Sequence, residues 1–269
     1  MSKGTVLFDI SDRSVFDVFK SHESEESVRI CLKYVEICYT ISIGRNKKAY
    51  ILRLLKRGMI MTPRLLSILI GYCFGNLLTA ELVAKHFAGK SSSEIGSTGN
   101  PGMANIMVHL GFKEGLLVLL GDISKCILAI VICRLLFRGT GRIVTLYAGL
   151  GCTLGHDFPC WRKIRGGKGV ATSSTAITLY APLWSLVAHI VGIIITLATK
   201  YLCIAGIAVP LVFGICMVIL RNWEAAILSG VFTLLAVFCN RTPLLGIRNG
   251  TTEQTDILGK LRKKKVSKK

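Results

Sequence analysis

The chain is short of charge, of acid and of aromatic rings. Charged residues fill 18% of its 269 positions, against about 25% in soluble domains, which argues against a large soluble core. Only 15 residues are acidic against 34 Lys and Arg, leaving a net charge of +19. That surplus comes with few aromatics, 8%, and with no nucleic-acid module pattern, so nucleic acid is not expected as a partner. The ten cysteines contain no Cys-x-x-Cys, so neither a metal site nor a disulfide framework is expected. Cys73, Cys126, Cys133, Cys203 and Cys216 stand inside apolar runs and read as small hydrophobes. His86, His109 and His189 lack metal spacing. The opening MSKGTVLFDISDRSVF lacks the apolar core of a signal peptide.

What is abundant is apolar: 51% of residues, concentrated after Pro63. Runs at Leu65–Leu82, Gly115–Leu136, Ile143–Leu154, Val170–Tyr180, Leu183–Ala198, Leu202–Leu220 and Trp223–Phe238 predict an all-α integral membrane protein. About seven transmembrane helices are expected. The third and fourth runs fall short of the roughly 20 residues a span needs and read as short or re-entrant, a state tolerated where protein covers the backbone. Small-residue spacings, Gly71-x-x-x-Gly75 and Gly151-x-x-x-Gly155, predict close helix approach. Residues 1–62 hold 7 of the acids and 11 basic residues and read as a small polar N-terminal extension, with an amphipathic stretch at Val28–Ile43. Residues 63–256 read as the membrane domain and 257–269, ending LRKKKVSKK, as a basic tail. With seven spans, the polar loops and the tail share one face, and the positive-inside rule makes it cytoplasmic. The same count puts the basic N-terminal extension outside, against that rule.

Two loops have the composition of phosphate sites. In EIGSTGNPGMANI (Glu94–Ile106), glycines let backbone N–H groups converge on an anion, and Thr98, Asn100 and Asn105 add side-chain hydrogen bonds; an ordinary turn cluster has the same composition. In GHDFPCWRKIRGGKGVATS (Gly155–Ser173), Gly166, Gly167 and Gly169 allow a close backbone approach. Lys168 adds a point charge, and Arg162 or Arg165 a planar donor fork. Arg162 and Gly169 stand where an ATP-binding P-loop requires Gly and Ser/Thr, so ATP hydrolysis is disfavoured. His156 reads as a base, a donor to phosphate or a structural residue. Asp122 and Lys125, three residues apart in an apolar run, share a helix face and are placed to pair or to support the site.

GSTGNPGMAN (Gly96–Asn105), GDISK (Gly121–Lys125) and the Gly155–Ser173 stretch, in this order and spacing, resemble the PlsY-type acyl-phosphate:glycerol-3-phosphate acyltransferases from about Pro63 to Glu253. The resemblance implies an integral bacterial cell-membrane enzyme of seven helices with cytoplasmic motif loops. Its reaction moves a fatty acyl group from acyl phosphate to the 1-hydroxyl of glycerol 3-phosphate, giving lysophosphatidic acid. The implied partners are acyl phosphate, glycerol 3-phosphate and membrane lipid, with no cofactor. Thr98, Gly99 and Asn100 fall in its first phosphate-binding motif, and His156 and Gly166–Gly169, with Lys168, in its second. In the third, NRTPLLGIRNGTTE (Asn240–Glu253), Arg241 and Gly250 match and Glu253 fits with a one-residue shift. Asn240 stands where His is expected, Pro243 where Asn is expected and Gly246 where Arg is expected. In the first motif, Met103 and Ala104 replace the usual Ala and Thr. Of the implied site residues, His156, Lys168 and Arg241 are the expected catalytic groups. Apart from the resemblance, the residues also leave open a phosphorylated-lipid binder without transfer activity, a different acceptor, or a transporter.

Overall fold

The structure, a computed structural model, describes residues 61–96, 99–162 and 165–252, all within the compact unit Ile60–Lys269. The stretch Val28–Ile43 and the basic tail lie outside the described residues. In chain order the helices are α1 (61–75), α2 (Thr79–Ala88), α3 (Met103–His109), α4 (Phe112–Leu136), α5 (Val144–Asp157), α6 (Val170–Tyr180), α7 (Pro182–Thr199), α8 (Leu202–Ile219), α9 (Trp223–Cys239) and α10 (Arg241–Arg248). There is no strand among the described residues.

Six of the seven predicted apolar runs coincide with α4 to α9 to within a few residues. Four segments are long and apolar enough to cross a membrane: Met61–Ala88, Phe112–Leu136, Pro182–Thr199 and Leu202–Ile219. The bent pair Trp223–Cys239 and Arg241–Arg248, turning by 58°, makes a fifth. At about 1.5 Å per residue, α5 and α6 are too short to cross about 30 Å of hydrocarbon. They occupy the middle of the bundle instead. Leu146, Ala148, Cys152, Ala176 and Ile177 are fully buried and pack with Ile130, Val209, Phe213 and Phe232. The outer faces of the long helices carry exposed Leu and Ile, among them Leu69, Leu120, Leu183, Ile193, Leu211 and Leu234. Such a surface is stable against lipid and not against water.

The predicted close approach is between α1 and α5. A Cβ on Gly71 would overlap the carbonyl of Ala148, and one on Gly75 that of Cys152. On the other side of the contact, a Cβ on Gly151 would meet the Ile68 carbonyl and one on Gly155 that of Tyr72. The two glycine pairs thus face each other across parallel helices, backbone on backbone. Near the start of α5, Tyr147 Oη donates to Glu224 (2.9 Å) at the start of α9, and Arg64 Nε pairs with the same carboxylate (2.6 Å). Near the end of α5, Cys239 Sγ donates to Asp157 (3.4 Å) at the end of α9. The three helices therefore deliver their C-termini to one end of the bundle, where both polar loops lie.

Because the α1–α5 contact is between main chains, Gly151→Val should cost about 1–3 kcal/mol or more through forced separation. Gly230→Ala, where an added Cβ meets nothing within 4 Å, should be neutral or stabilise by up to about 1 kcal/mol. Thermal unfolding in detergent measures both, and equal melting temperatures for the two variants would refute the close crossing.

Candidate active site

The site begins with a fault in the first span. The run expected as a span over Leu65–Leu82 breaks at 76–78, between α1 and α2. The carbonyls exposed there are taken up by side chains. Asn76 O accepts from Trp161 Nε1 (2.9 Å), and Leu77 O and Gly75 O accept from Lys125 Nζ (2.8 and 3.4 Å). Asn76 itself bonds back through Nδ2 to Tyr72 O (2.7 Å) and receives the Cys160 N–H (2.9 Å). A helix end leaves carbonyls unpaired and carries partial negative charge, so a buried ammonium suits it.

Lys125 also pairs with Asp122 (2.8 Å), and both side chains are buried; Thr79 Oγ1 donates to the same carboxylate (3.2 Å). The remaining neighbour of the ammonium is His156 Nδ1, 2.9 Å away. An ammonium only donates, so His156 Nδ1 is the acceptor and its proton resides on Nε2. The Nδ1 lone pair is thereby engaged by Lys125 and is not free to take a further proton.

The glycine loop lies on this ring. Gly167 N donates to His156 O (2.9 Å) and Gly166 N to Asp157 O (3.0 Å). A Cβ on Gly167 would overlap His156 Nε2, and Gly169, with φ 62°, would bring a Cβ against Thr153 and the Asp157 carboxylate. Glycines 166, 167 and 169 are therefore required by the packing of the loop on the end of α5. Gly169 opens α6 with no side chain capping it, so the first N–H groups of α6 present donors next to Lys168, a favourable place for an anion. Burial holds the Lys168 ammonium below the ordinary lysine range, against a partial restoring effect of the Cys203 and Cys239 thiols.

The first loop is fastened to the second. Arg162 Nη1 donates to Ser92 Oγ (2.7 Å) and pairs with Glu81 Oε2 (3.4 Å). That same oxygen accepts from Ser92 N (3.0 Å), Ser92 Oγ (2.7 Å) and Ser91 Oγ (3.1 Å). Further along, Asn105 Nδ2 donates to Ile95 O (2.8 Å) and closes the loop over a small apolar cluster of Ala84, Ile106 and Val118. Gly99 is left-handed at φ 53°, folded against Ser93 O, and Asn100 O accepts from Gly102 N (2.8 Å). Arg165 is exposed and donates its N–H to Arg162 O (3.1 Å).

The third segment reaches the same end through Cys239 and Asp157. Asp157 Oδ1 is buried and has no hydrogen-bond partner among the described residues. Asn240 is buried with its amide on Ala236 O (2.9 Å), and Pro243 falls in the first turn of α10. Arg241 is exposed, with its guanidinium 4.3 Å from the Phe238 ring centre and Nη1 on Phe238 O (2.9 Å). It is folded back onto the end of α9. Thr98 and Glu253 lie outside the described residues. No cluster of metal-ligating side chains occurs among the described residues.

The sequence profile of glycerol-3-phosphate acyltransferases matches residues 65–250. The chain belongs to that family. Glycerol-3-phosphate acyltransferase 1 of Lactobacillus johnsonii is 35% identical over 198 residues, 74% of this chain and 95% of that protein. Its counterpart in Lactobacillus acidophilus is 37% identical over 75% of this chain and 96% of its own. The crystal structure of PlsY (YgiH), an integral membrane glycerol 3-phosphate acyltransferase, in its glycerol 3-phosphate form superposes with a TM-score of 0.65 at 26% identity, covering 74% of this chain and 98% of that one. The chain is accordingly a multi-pass membrane acyltransferase of this family.

Within it, two features escaped the sequence. The contact of Lys125 with His156 depends on the break after α1, which no composition signal marks. Glu81 carried a signal, an acid inside an apolar run, that went unread.

The buried pair is testable on its own. Lys125→Met strands Asp122 and should cost about 3–5 kcal/mol. Adding Asp122→Asn should return part of that loss. Unfolding in detergent decides, and a double variant no more stable than the single one would contradict the pairing.

Proposed function

We propose that the chain transfers a fatty acyl group from acyl phosphate to the 1-hydroxyl of glycerol 3-phosphate, releasing inorganic phosphate and lysophosphatidic acid. It acts in the bacterial cell membrane, with the motif loops and the C-terminus on the cytoplasmic side; residues 63–256 are the catalytic domain. The observation that carries the reading is the meeting of both polar loops, through Ser92 and Arg162 (2.7 Å), at the end of the bundle that also holds Lys168 and the uncapped start of α6.

The chemistry asks little of the protein. The hydroxyl oxygen bonds to the acyl carbon, the bond from that carbon to the phosphate oxygen breaks, and phosphate leaves with the electron pair. Phosphate is already a competent leaving group, so no covalent enzyme intermediate is required. What remains is to hold two anions together and to screen their repulsion. Lys168 and the first N–H groups of α6 take one phosphate, with Arg165 at the rim. Arg162, Asn100 and Asn105 take the other, and Thr98 is assigned to it by its place in the motif. Arg241 is a counter-charge that must leave Phe238 to serve. Glu253 is assigned a supporting role by its place in the third motif alone. The hydroxyl proton goes to a phosphate oxygen of the substrates, because His156 has its acceptor nitrogen occupied by Lys125. His156 acts as the strut under Gly167, and Asp122 and Lys125 fix the strut.

Lys168→Ala should lower acyl-phosphate-dependent turnover in proteoliposomes by roughly 10²–10³-fold; a variant with near-normal turnover would remove Lys168 from the site.

The lowered pKa of Lys168 sets a direction with pH. The ammonium is the phosphate-binding form, so substrate affinity should fall as pH rises, beginning below the usual lysine value of about 10.4. Lys168→Arg, which stays charged, should push that alkaline fall upward. KM profiles of the two proteins make the comparison, and coincident alkaline limbs would assign the titration to another group.

A further inference from the structure

Resting on the acyl-transfer reading, we propose that Glu81 is a positioning residue of this enzyme: its carboxylate fixes the Arg162 guanidinium and the Ser91–Glu94 turn as one phosphate-gripping unit. Four groups from two loops converge on Glu81 Oε2: Ser91 Oγ, Ser92 N, Ser92 Oγ and Arg162 Nη1. The other oxygen, Oε1, meets Lys85 (3.5 Å). Glu81 is 6% exposed, on a helix whose other buried residues, Ala80, Val83 and Ala84, are apolar.

Stability alone does not account for such a carboxylate. Taking an ion pair out of water costs about as much as the pair returns, and apolar replacements of similar size are often as stable. What the carboxylate adds is geometry. A free arginine side chain samples many rotamers, and ordering it at the moment of binding costs affinity. Here Arg162 makes both contacts through Nη1 alone. A guanidinium has five donors, so the pairing orients the group and leaves donors for a phosphate.

Simple electrostatics predicts the opposite effect of losing Glu81. Removing a negative charge beside Arg162 and Lys85 strengthens the local positive field and favours anions. The two accounts therefore differ in sign. If Glu81 positions, Glu81→Gln and Glu81→Ala raise the KM for glycerol 3-phosphate, by roughly tenfold for the alanine variant, while kcat changes far less. If Glu81 only offsets charge, KM falls.

The test uses the full chain, purified in detergent, in two measurements. Steady-state kinetics with acyl phosphate and glycerol 3-phosphate gives KM and kcat for wild type, both Glu81 variants, Arg162→Ala, and Arg162→Ala combined with Glu81→Gln. Equilibrium dialysis of radiolabelled glycerol 3-phosphate gives the same ratios as Kd without turnover. The expected result is a rise in KM and Kd in each Glu81 variant, and no further rise when Glu81→Gln is added to Arg162→Ala, since the two residues act as one unit. An unchanged or lowered KM, or a full additive penalty in the double variant, overturns the proposal. Should the alanine variant not fold, the isosteric Gln variant decides by the same criteria. A wild-type chain that binds glycerol 3-phosphate without turning over refutes the acyl-transfer reading, while the Kd ratios still decide the role of Glu81. A wild-type chain that does not bind it at all overturns both.

Discussion

The polar end of this protein is organised around an interrupted helix. Three carbonyls at 75–77 lose their intrahelical partners where the first span breaks, in a bundle whose surroundings are apolar. An unpaired buried carbonyl costs free energy comparable to a lost hydrogen bond; Lys125 donates to the Gly75 and Leu77 carbonyls, and Trp161 to the more exposed Asn76 carbonyl. Lys125 in turn needs an anion and finds Asp122 one turn earlier on its own helix. Its three N–H groups serve Leu77 O, Asp122 and His156 Nδ1 at 2.8–2.9 Å, with Gly75 O a longer fourth contact at 3.4 Å. A local backbone defect thereby couples α1, α4 and α5 and fixes the orientation of an imidazole ring on the third of them.

That ring is the floor of the glycine loop, and the loop carries Lys168. The order of dependence runs from backbone to charge. The glycine pairs of α1 and α5 set the distance between their main chains, which brings the end of α5 beside the break. Lys125 then reaches both. Gly167 rests on His156, and Gly169 turns the chain into α6. A side chain at 71, 75, 151 or 155 would separate the helices and move the charged loop without touching it. In an apolar protein this matters more than in a soluble one, because a displaced polar group finds no water to satisfy it.

Much of the bundle was legible from the sequence because its signals are periodic and local. The apolar runs from Gly115 onward predicted α4 to α9 closely. The two Gly-x-x-x-Gly spacings and the three-residue step from Asp122 to Lys125 each specified a contact that the structure contains. The first run was read as a span and is one, but its break at 76–78 was not foreseen, since Leu77 and Leu78 are as apolar as their neighbours and a break supported from 48 residues away leaves no local mark. For the same reason the composition of the glycine loop was read as room for phosphate alone, when His156 and Asp157 already occupy the space beside those glycines. The count of seven spans stays a reading of hydropathy: α5 and α6 are too short to cross on their own, and four or five segments have the length and composition to do so.

On the proposed acyl-phosphate chemistry, the departures in the third segment do not remove a group the reaction needs. Asn240 is sealed into the end of α9 with its amide on a helix carbonyl, where it can neither donate a proton to a leaving group nor accept one. A mechanism built on a protein-borne base would fail at such a position. One built on counter-charge does not, because acyl phosphate brings its own leaving group and its own proton acceptor. The demand on the protein is then the placement of fixed positive charge around two anions, and the residues that set that placement need not touch either substrate. Lys125 beneath His156 and Glu81 behind Arg162 are of that kind: both are buried and both bond to main chain as well as side chains, Glu81 directly behind a guanidinium suited to hold phosphate and Lys125 behind the imidazole on which the glycine loop rests.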